Sequence, residues 1–315
     1  MADQVVDERV YSTLAHLRGL EHRARGFSFL PRQPANSALN GRHASRIRGR
    51  GLNFEEIRHY LPGDDVRAID WKVTARTGEP HVRVLTEERD RPAFIVVDQR
   101  LSMFFGSRHN MKSVTAAELA ALAAWRVLAQ GDRVGGIVFD DSGWTEHRPH
   151  RSRRSVHRLL EKVSHANLAL HAADTLEPAP HMLARALQAA ARIISHDTLL
   201  VLISDFDGAD EALRKSVARL ARHNDVVLVL VHDPMARKMP DAGTMVVGDG
   251  RRQLSLELGN RRVRESLETR SDDRLQRLLD WQVETGAAVL SVSSGEDTVA
   301  QLNRLMDVDR RRRIR

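Results

Sequence analysis

Ala93-Phe-Ile-Val-Val-Asp98-Gln-Arg100-Leu-Ser102-Met-Phe-Phe-Gly106-Ser107 is the stretch whose reading decides the fold. A short apolar run, mostly β-branched or aromatic, ends abruptly in an aspartate; a hydroxyl and then a glycine follow. Such a run predicts a strand buried on both faces, as strands of parallel sheets are. Parallel sheets carry their polar strand ends on one carboxyl-terminal rim, where crossover helices leave a crevice for ligands. Asp98 is expected on that rim.

Downstream the alternation continues. Residues 112–129 predict a helix that is apolar almost all round from Leu119 on, Arg126 excepted, and so sandwiched between the sheet and an N-terminal module. Residues 133–139 read as the next strand, and Asp140-Asp141-Ser-Gly143 as a turn into a short edge strand at 144–148. Val156, Leu159, Leu160 and Val163 follow the helical period, as do Met182, Leu183, Ala186, Leu187 and Ala190 after a loop at 171–180. Apolar strands at 198–204 and 226–231 flank a helix at 210–222. A hairpin around Gly248-Asp-Gly250, a helix with Leu275 and Leu278, a strand at 287–292 and a helix with Val299, Leu302 and Leu305 complete the series. The pattern predicts a doubly wound α/β domain with a mostly parallel sheet over residues 93–306.

Upstream, Val6, Val10, Leu14 and Leu17 share one stripe of an expected amphipathic helix at 4–20, followed by a loop, so residues 1–40 form an N-terminal helix and loop. Residues 41–92 hold turn signals, dense charge and a strand candidate at 81–88, which together predict a small β-rich module. Residues 307–315 end in Arg310-Arg-Arg-Arg-Ile-Arg315 and predict a solvated basic tail.

The 315 residues are 42% hydrophobic and 29% charged, the ordinary balance of a globular protein. No apolar run approaches the roughly 20 residues that cross a bilayer, and the acidic N-terminus has no apolar signal core. With no cysteine, disulfides, thiolate zinc sites and cysteine nucleophiles are excluded, and a cytoplasmic location is expected. The net charge of +7 concentrates in the C-terminal tail and between Arg148 and Arg158, a stretch without an acid. Nucleic-acid binding is nevertheless not expected, because aromatics at 4% leave little on which to stack bases. Neither a Walker A loop nor a Gly-x-Ser-x-Gly elbow occurs.

The predicted rim gathers Asp98, Asp140, Asp141, Asp205, Asp207 and Asp233. Carboxylates this dense favour a cation or a basic partner. Aspartates at strand-to-helix turns also serve as helix caps, which suits Asp207 and Asp210. Asp98 and Asp205 end the two most apolar strands and suit it less well, so the site is expected around them.

Gly49-x-Gly51, Tyr60-x-Pro62-Gly63-Asp64-Asp65-x-Arg67-x-Ile69-Asp70-Trp71, Ala75-Arg76, and then Val97-Asp98, Ser102-Met103, Gly106-Ser107 and Lys112 closely resemble the family called "domain of unknown function 58", over about residues 41–235. The resemblance implies a sheet of von Willebrand factor A type and an adaptor or co-chaperone role beside a MoxR-type AAA-plus ATPase, with no enzymatic activity. Many relatives carry N-terminal membrane helices; this chain shows none and looks like a soluble member. Von Willebrand A domains hold Mg²⁺ in an Asp-x-Ser-x-Ser site completed by a threonine and a further aspartate. Asp98, Ser102 and Asp205 match that set. Arg100 stands at the middle serine, and Ala179-Pro-His-Met182 offers no clear threonine, which makes the site degenerate. Two arrangements stay open: Mg²⁺ on the incomplete set, or Arg100 between Asp98 and Asp205 in the metal's place. The block of Tyr60, Pro62, Gly63, Asp64, Asp65, Arg67, Asp70, Trp71 and Arg76 is expected to pin the β-rich module to the α/β domain, with Trp71 as a packing anchor.

The expected function is therefore a non-enzymatic adaptor for a MoxR-type ATPase and a client protein in maturation or assembly. Its docking rim comprises Asp98, Arg100, Ser102, Asp140, Asp205 and Asp207, and no cofactor is expected unless Mg²⁺ binds. One alternative is a Mg-dependent phosphohydrolase using Asp205 and Asp207, since Ser204-Asp205-Phe-Asp207-Gly208 resembles the haloacid-dehalogenase turn. Against it, the motif sits late in the chain and no later lysine with an acidic pair follows. A basic nucleic-acid-binding protein is the second alternative.

Overall fold

The computed structural model describes residues 7–26, 52–87, 92–171, 177–236, 244–248, 253–257 and 261–312. The expected loop at 26–40, the Gly49-x-Gly51 pair, Val6 and the tip of the Gly248–Gly250 hairpin fall wholly or mostly outside these residues. Two compact units emerge: residues 52–87 form one, and the described residues before and after them form the other.

Helix α1 (Leu14–Gly19) is capped by Thr13, whose Oγ1 accepts from the His16 N–H at 3.2 Å, and runs on as a 3₁₀ helix at Leu20–Gly26. The amphipathic helix expected at 4–20 is thus shorter, because Thr13 caps it and the chain before is turn and extended. The segment docks on the α/β unit, with Leu17, Leu20 and Ala24 buried in its core.

In the 52–87 unit, β1 (Leu52–His59) and β2 (His81–Glu87) pair antiparallel around α2 (Trp71–Thr77). The module therefore contains a helix, for which the sequence supplies both ends. Asp70 caps its start by accepting from Lys72 N and Val73 N, and Gly78, at φ +81°, closes it with an N–H to the Thr74 carbonyl.

The α/β unit runs β3 (Ala93–Asp98), α3 (Lys112–Ala129), β4 (Val134–Phe139), β5 (Trp144–His150), α4 (Arg153–Leu168), α5 (Met182–Ile193), β6 (Leu199–Ser204), α6 (Glu211–Ala221), β7 (Asp225–His232), β8 (Thr244–Gly248), β9 (Gln253–Glu257), α7 (Arg261–Thr285), β10 (Ala288–Ser293) and α8 (Thr298–Arg312). Six strands make one sheet in the order β10-β7-β6-β3-β4-β5; every pairing is parallel except that of edge strand β5 with β4. This is the expected doubly wound, mostly parallel α/β sheet. Because neighbouring residues of a strand face opposite ways, Ile95, Val97, Val201 and Ile203 enter a core with α3 and α4, while Phe94, Val96, Leu200 and Leu202 enter a second with α5 and α6.

Helix α3 can be apolar all round because it is covered on every side. The sheet lies on one side, and α4 with the 20–26 segment lies on others; Trp125 Nε1 donates to the Leu17 carbonyl at 3.1 Å. Residues 307–312, expected in a solvated tail, instead continue α8, since no glycine or proline stops the helix there. Residues 313–315 lie outside the described residues. No helix among the described residues is long and apolar enough to cross a membrane.

Candidate functional site: a closed ion network at the carboxyl-terminal rim

Strands β3 and β6 are neighbours in parallel register, Val97 opposite Ile203, so Asp98 and Asp205 leave the sheet side by side. Arg100, two residues past the strand, folds back on Asp98. Its Nε lies 3.0 Å from Asp98 Oδ1 and its Nη2 2.7 Å from Oδ2, and the Arg100 backbone N–H also donates to Oδ1 at 3.0 Å. The guanidinium reaches on to two loop carbonyls, Pro180 O from Nη1 (3.2 Å) and Asp207 O from Nη2 (3.1 Å), and comes within 3.7 Å of Asp205 Oδ1. Phe139 of β4 covers it at 5.6 Å. Asp98 and Arg100 are 0% and 1% exposed, so a partner cannot touch either one directly.

Ser204, the last residue of β6, fixes the other side of Asp98. Its hydroxyl accepts from the Phe206 N–H at 2.9 Å and donates to Asp98 Oδ2 at 2.6 Å. Burial pushes the Asp98 carboxyl above the usual range, against the pull of Arg100 and Ser204. Surrounded by donors, Asp98 is the acceptor-only carboxylate that this geometry requires.

Lys112 begins α3, where the positive end of the helix dipole disfavours a cation. It is compensated by Asp205, whose Oδ2 lies 2.7 Å from Nζ. Burial would raise the Asp205 carboxyl, but Lys112, Arg274 and Arg100 overcome it and hold the group well below the usual range. Arg274 of α7 bonds the Asp205 carbonyl (3.0 Å) and Asp207 Oδ1 (2.9 Å). The turn between is tight: Phe206 adopts φ +55°, and Gly208 adopts φ +76° where a Cβ would meet Pro180 Cβ at 2.4 Å.

The structure thus brings Asp98, Arg100 and Asp205 together, with Asp207 joined through its carbonyl and Arg274. Asp140 stands apart, its Oδ1 accepting from Ser142 N, Ser142 Oγ and Gly143 N in the turn before β5. The Ser102 hydroxyl is buried without a hydrogen-bond partner. Ser204, Lys112 and Arg274 are participants that the sequence did not single out for the site. Lys112 had a signal, a cation at the first position of a helix; Arg274, some seventy residues from its partners in sequence, had none. Two further acids tie loops together. Asp141 accepts from Leu101 N (2.6 Å) and Ala179 N (2.8 Å), and Asp233 accepts from Ser107 N (2.8 Å) and Ser294 Oγ (2.8 Å).

Mg²⁺ needs oxygen ligands in near-octahedral array. Here both oxygens of Asp98 are taken by Arg100 and Ser204, and Asp205 is taken by Lys112. A guanidinium, which cannot ligate a metal, stands within 3.7 Å of both carboxylates. Among the described residues, no group of three or more His, Asp or Glu side chains could hold a metal ion. Asp98, Ser102 and Asp205 as they stand do not fit that ion.

The signature residues lie in the 52–87 unit and make contacts within it. Asp64 accepts from the Leu61 N–H and from both Nη atoms of Arg58, each at 2.8 Å. Asp65 caps the 3₁₀ turn at Val66–Ala68, and Asp70, beyond capping α2, accepts from Arg83 Nε at 2.7 Å. Gly63 supplies φ +105° after Pro62, and the Tyr60 N–H donates to the Pro80 carbonyl. Arg67 and Arg76 are exposed. Trp71, the first residue of α2, is 70% exposed.

Two mycobacterial proteins, uncharacterized protein Rv1480 of Mycobacterium tuberculosis (strain ATCC 25618 / H37Rv) and uncharacterized protein Mb1516 of Mycobacterium bovis, are each 33% identical to this chain over 222 residues, which is 69% of this chain and 67% of theirs. Among solved structures, the SpRpn10 VWA domain is similar at a TM-score of 0.38 and 9% identity, covering 67% of this chain and 93% of that one. The model of the family described as "protein of unknown function DUF58" matches residues 56–285, more than two thirds of the sequence, and the chain belongs to that family.

Proposed function

We propose that this chain is a non-enzymatic interaction protein that works with a MoxR-type AAA-plus ATPase on a client protein, docking partners on the loops at the rim of the sheet. The observation that carries this reading is the closure of the rim's charges: Asp98 is saturated by Arg100 and Ser204, and Asp205 by Lys112. A catalytic carboxylate must reach its substrate, whereas these two are buried and spend their charge on holding loops from β3, β6 and α5 in place. A preorganised rim loses little freedom on docking. What it offers outward is Phe105, 37% exposed, and the Asp207–Arg274 pair. The arginine in place of a metal makes docking independent of divalent cations.

Co-purification of the chain with a MoxR-type ATPase, with Mg²⁺ and with chelator, tests the proposal. Equal recovery is expected under both conditions, with loss in Phe105→Asp. No ATPase recovered, or turnover of a phosphate ester abolished by Asp205→Asn, would overturn it. Calorimetry with Mn²⁺ is expected to be silent; binding at about micromolar affinity that disappears in Asp98→Ala would sink the metal-free rim.

A further inference from the structure

We infer that the groove between edge strand β5 and helix α4 binds an acidic, extended segment of a partner protein. This rests on the interaction reading above and adds to it a second surface, with the chemistry of its occupant. β5 ends the sheet: one side of its backbone pairs with β4, and no described strand pairs with the other. Such an edge can take up a further strand through main-chain hydrogen bonds. Pro149 supplies no N–H, so added pairing is confined to residues 144–148.

Beside that edge lies a groove of about 830 Å³, within the roughly 300–1,000 Å³ of ligand sites. Its α4 wall carries Arg158, Lys162 and His165, spaced at the helical period, and its β5 wall carries Thr145 and His147. Neither Arg158 nor Lys162 forms an ion pair among the described residues. The acid on the same stripe, Glu161, reaches instead toward Arg18 at 3.8 Å. Asp140, at the groove's end, spends Oδ1 on its own turn. The surplus is felt by His147: desolvation, and then the charges of His150, Lys162 and Arg158, hold its pKa below the ordinary value. Of the arginine-rich, acid-free stretch at 148–158, Arg158 lines the groove.

Two features select a polypeptide over a nucleic acid. Trp144, the indole lining the groove, has Arg185 over one face at 5.3 Å and donates its Nε1–H to Glu146 at 3.1 Å, so it is a poor platform for bases. An open strand edge, moreover, offers alternating donors and acceptors that only another backbone matches in register.

Fluorescence anisotropy of the full chain with a short labelled peptide alternating Glu and Val tests the site. Saturable binding is expected, with weakening of about tenfold or more in the Arg158→Glu, Lys162→Glu double variant and further weakening in salt. Arg158→Gln with Lys162→Gln is expected to fall between, and an unchanged thermal midpoint keeps folding out of the comparison. Equal affinity in wild type and the double variant overturns the site, as does tighter binding of single-stranded DNA than of the peptide. The peptide result decides the groove by itself, whichever way co-purification of the ATPase comes out.

Discussion

Both units of this protein join a guanidinium to a carboxylate, and they do so in opposite solvents. Arg100 and Asp98 are sealed at 1% and 0% exposure, whereas Arg58 and Asp64 make an equally well-formed two-point contact at 37% and 22%. In water the second pair replaces hydration it would otherwise keep, so its net contribution is small. Inside the rim no hydration is left to fall back on. The buried pair need not stabilise more than an apolar pair of the same shape would, but breaking it strands a charge. The rim pair therefore binds its loops into one arrangement, while the surface pair trims a turn.

The sharpest way to break this comparison is Arg100→Ala. It leaves Asp98 buried without its cation, and a loss of about 3–5 kcal/mol is expected in urea unfolding; a midpoint close to wild type would mean that the network is dispensable. Next comes Lys112→Met, expected to cost about 2 kcal/mol, since Arg274 and Arg100 still face Asp205. This variant also has a pH signature. The folded Asp205 carboxyl titrates below its unfolded value of about 3.9, so its contribution is fully present above that value and is lost as pH falls through the depressed folded one. Removing Lys112 lessens the depression, and the acid-unfolding midpoint followed by circular dichroism should move upward. The smallest effect belongs to Asp64→Ala, about 1 kcal/mol from a half-buried pair and one turn hydrogen bond. A loss rivalling that of Arg100→Ala would show the two pairs to be energetically alike.

How much of this was legible beforehand depended on distance along the chain. The run at Ala93–Asp98 announced its strand because a five-residue apolar block has few other uses, and the helical periods after Lys112 and Arg153 placed α3 and α4. Asp98 and Arg100, two residues apart, were readable as partners. Ser204, Lys112 and Arg274 were not, since each reaches the network across a crossover that only the packed sheet closes. In the signature block, closeness in sequence has a local use: its acids and glycines supply caps and turns within the 52–87 unit.

Sequence alone determined the alternation of strands and helices, the two-sided burial of the central strands, and the presence of an arginine two residues beyond Asp98. Apolar blocks and helical periods are properties of neighbouring residues, and so they survive being read in one dimension. Tertiary structure decided what that arginine does. A guanidinium can project into water or turn inward, and only the register of β3 against β6, with Pro180 and Asp207 closing over it, makes the inward turn the arrangement in which its donors are satisfied.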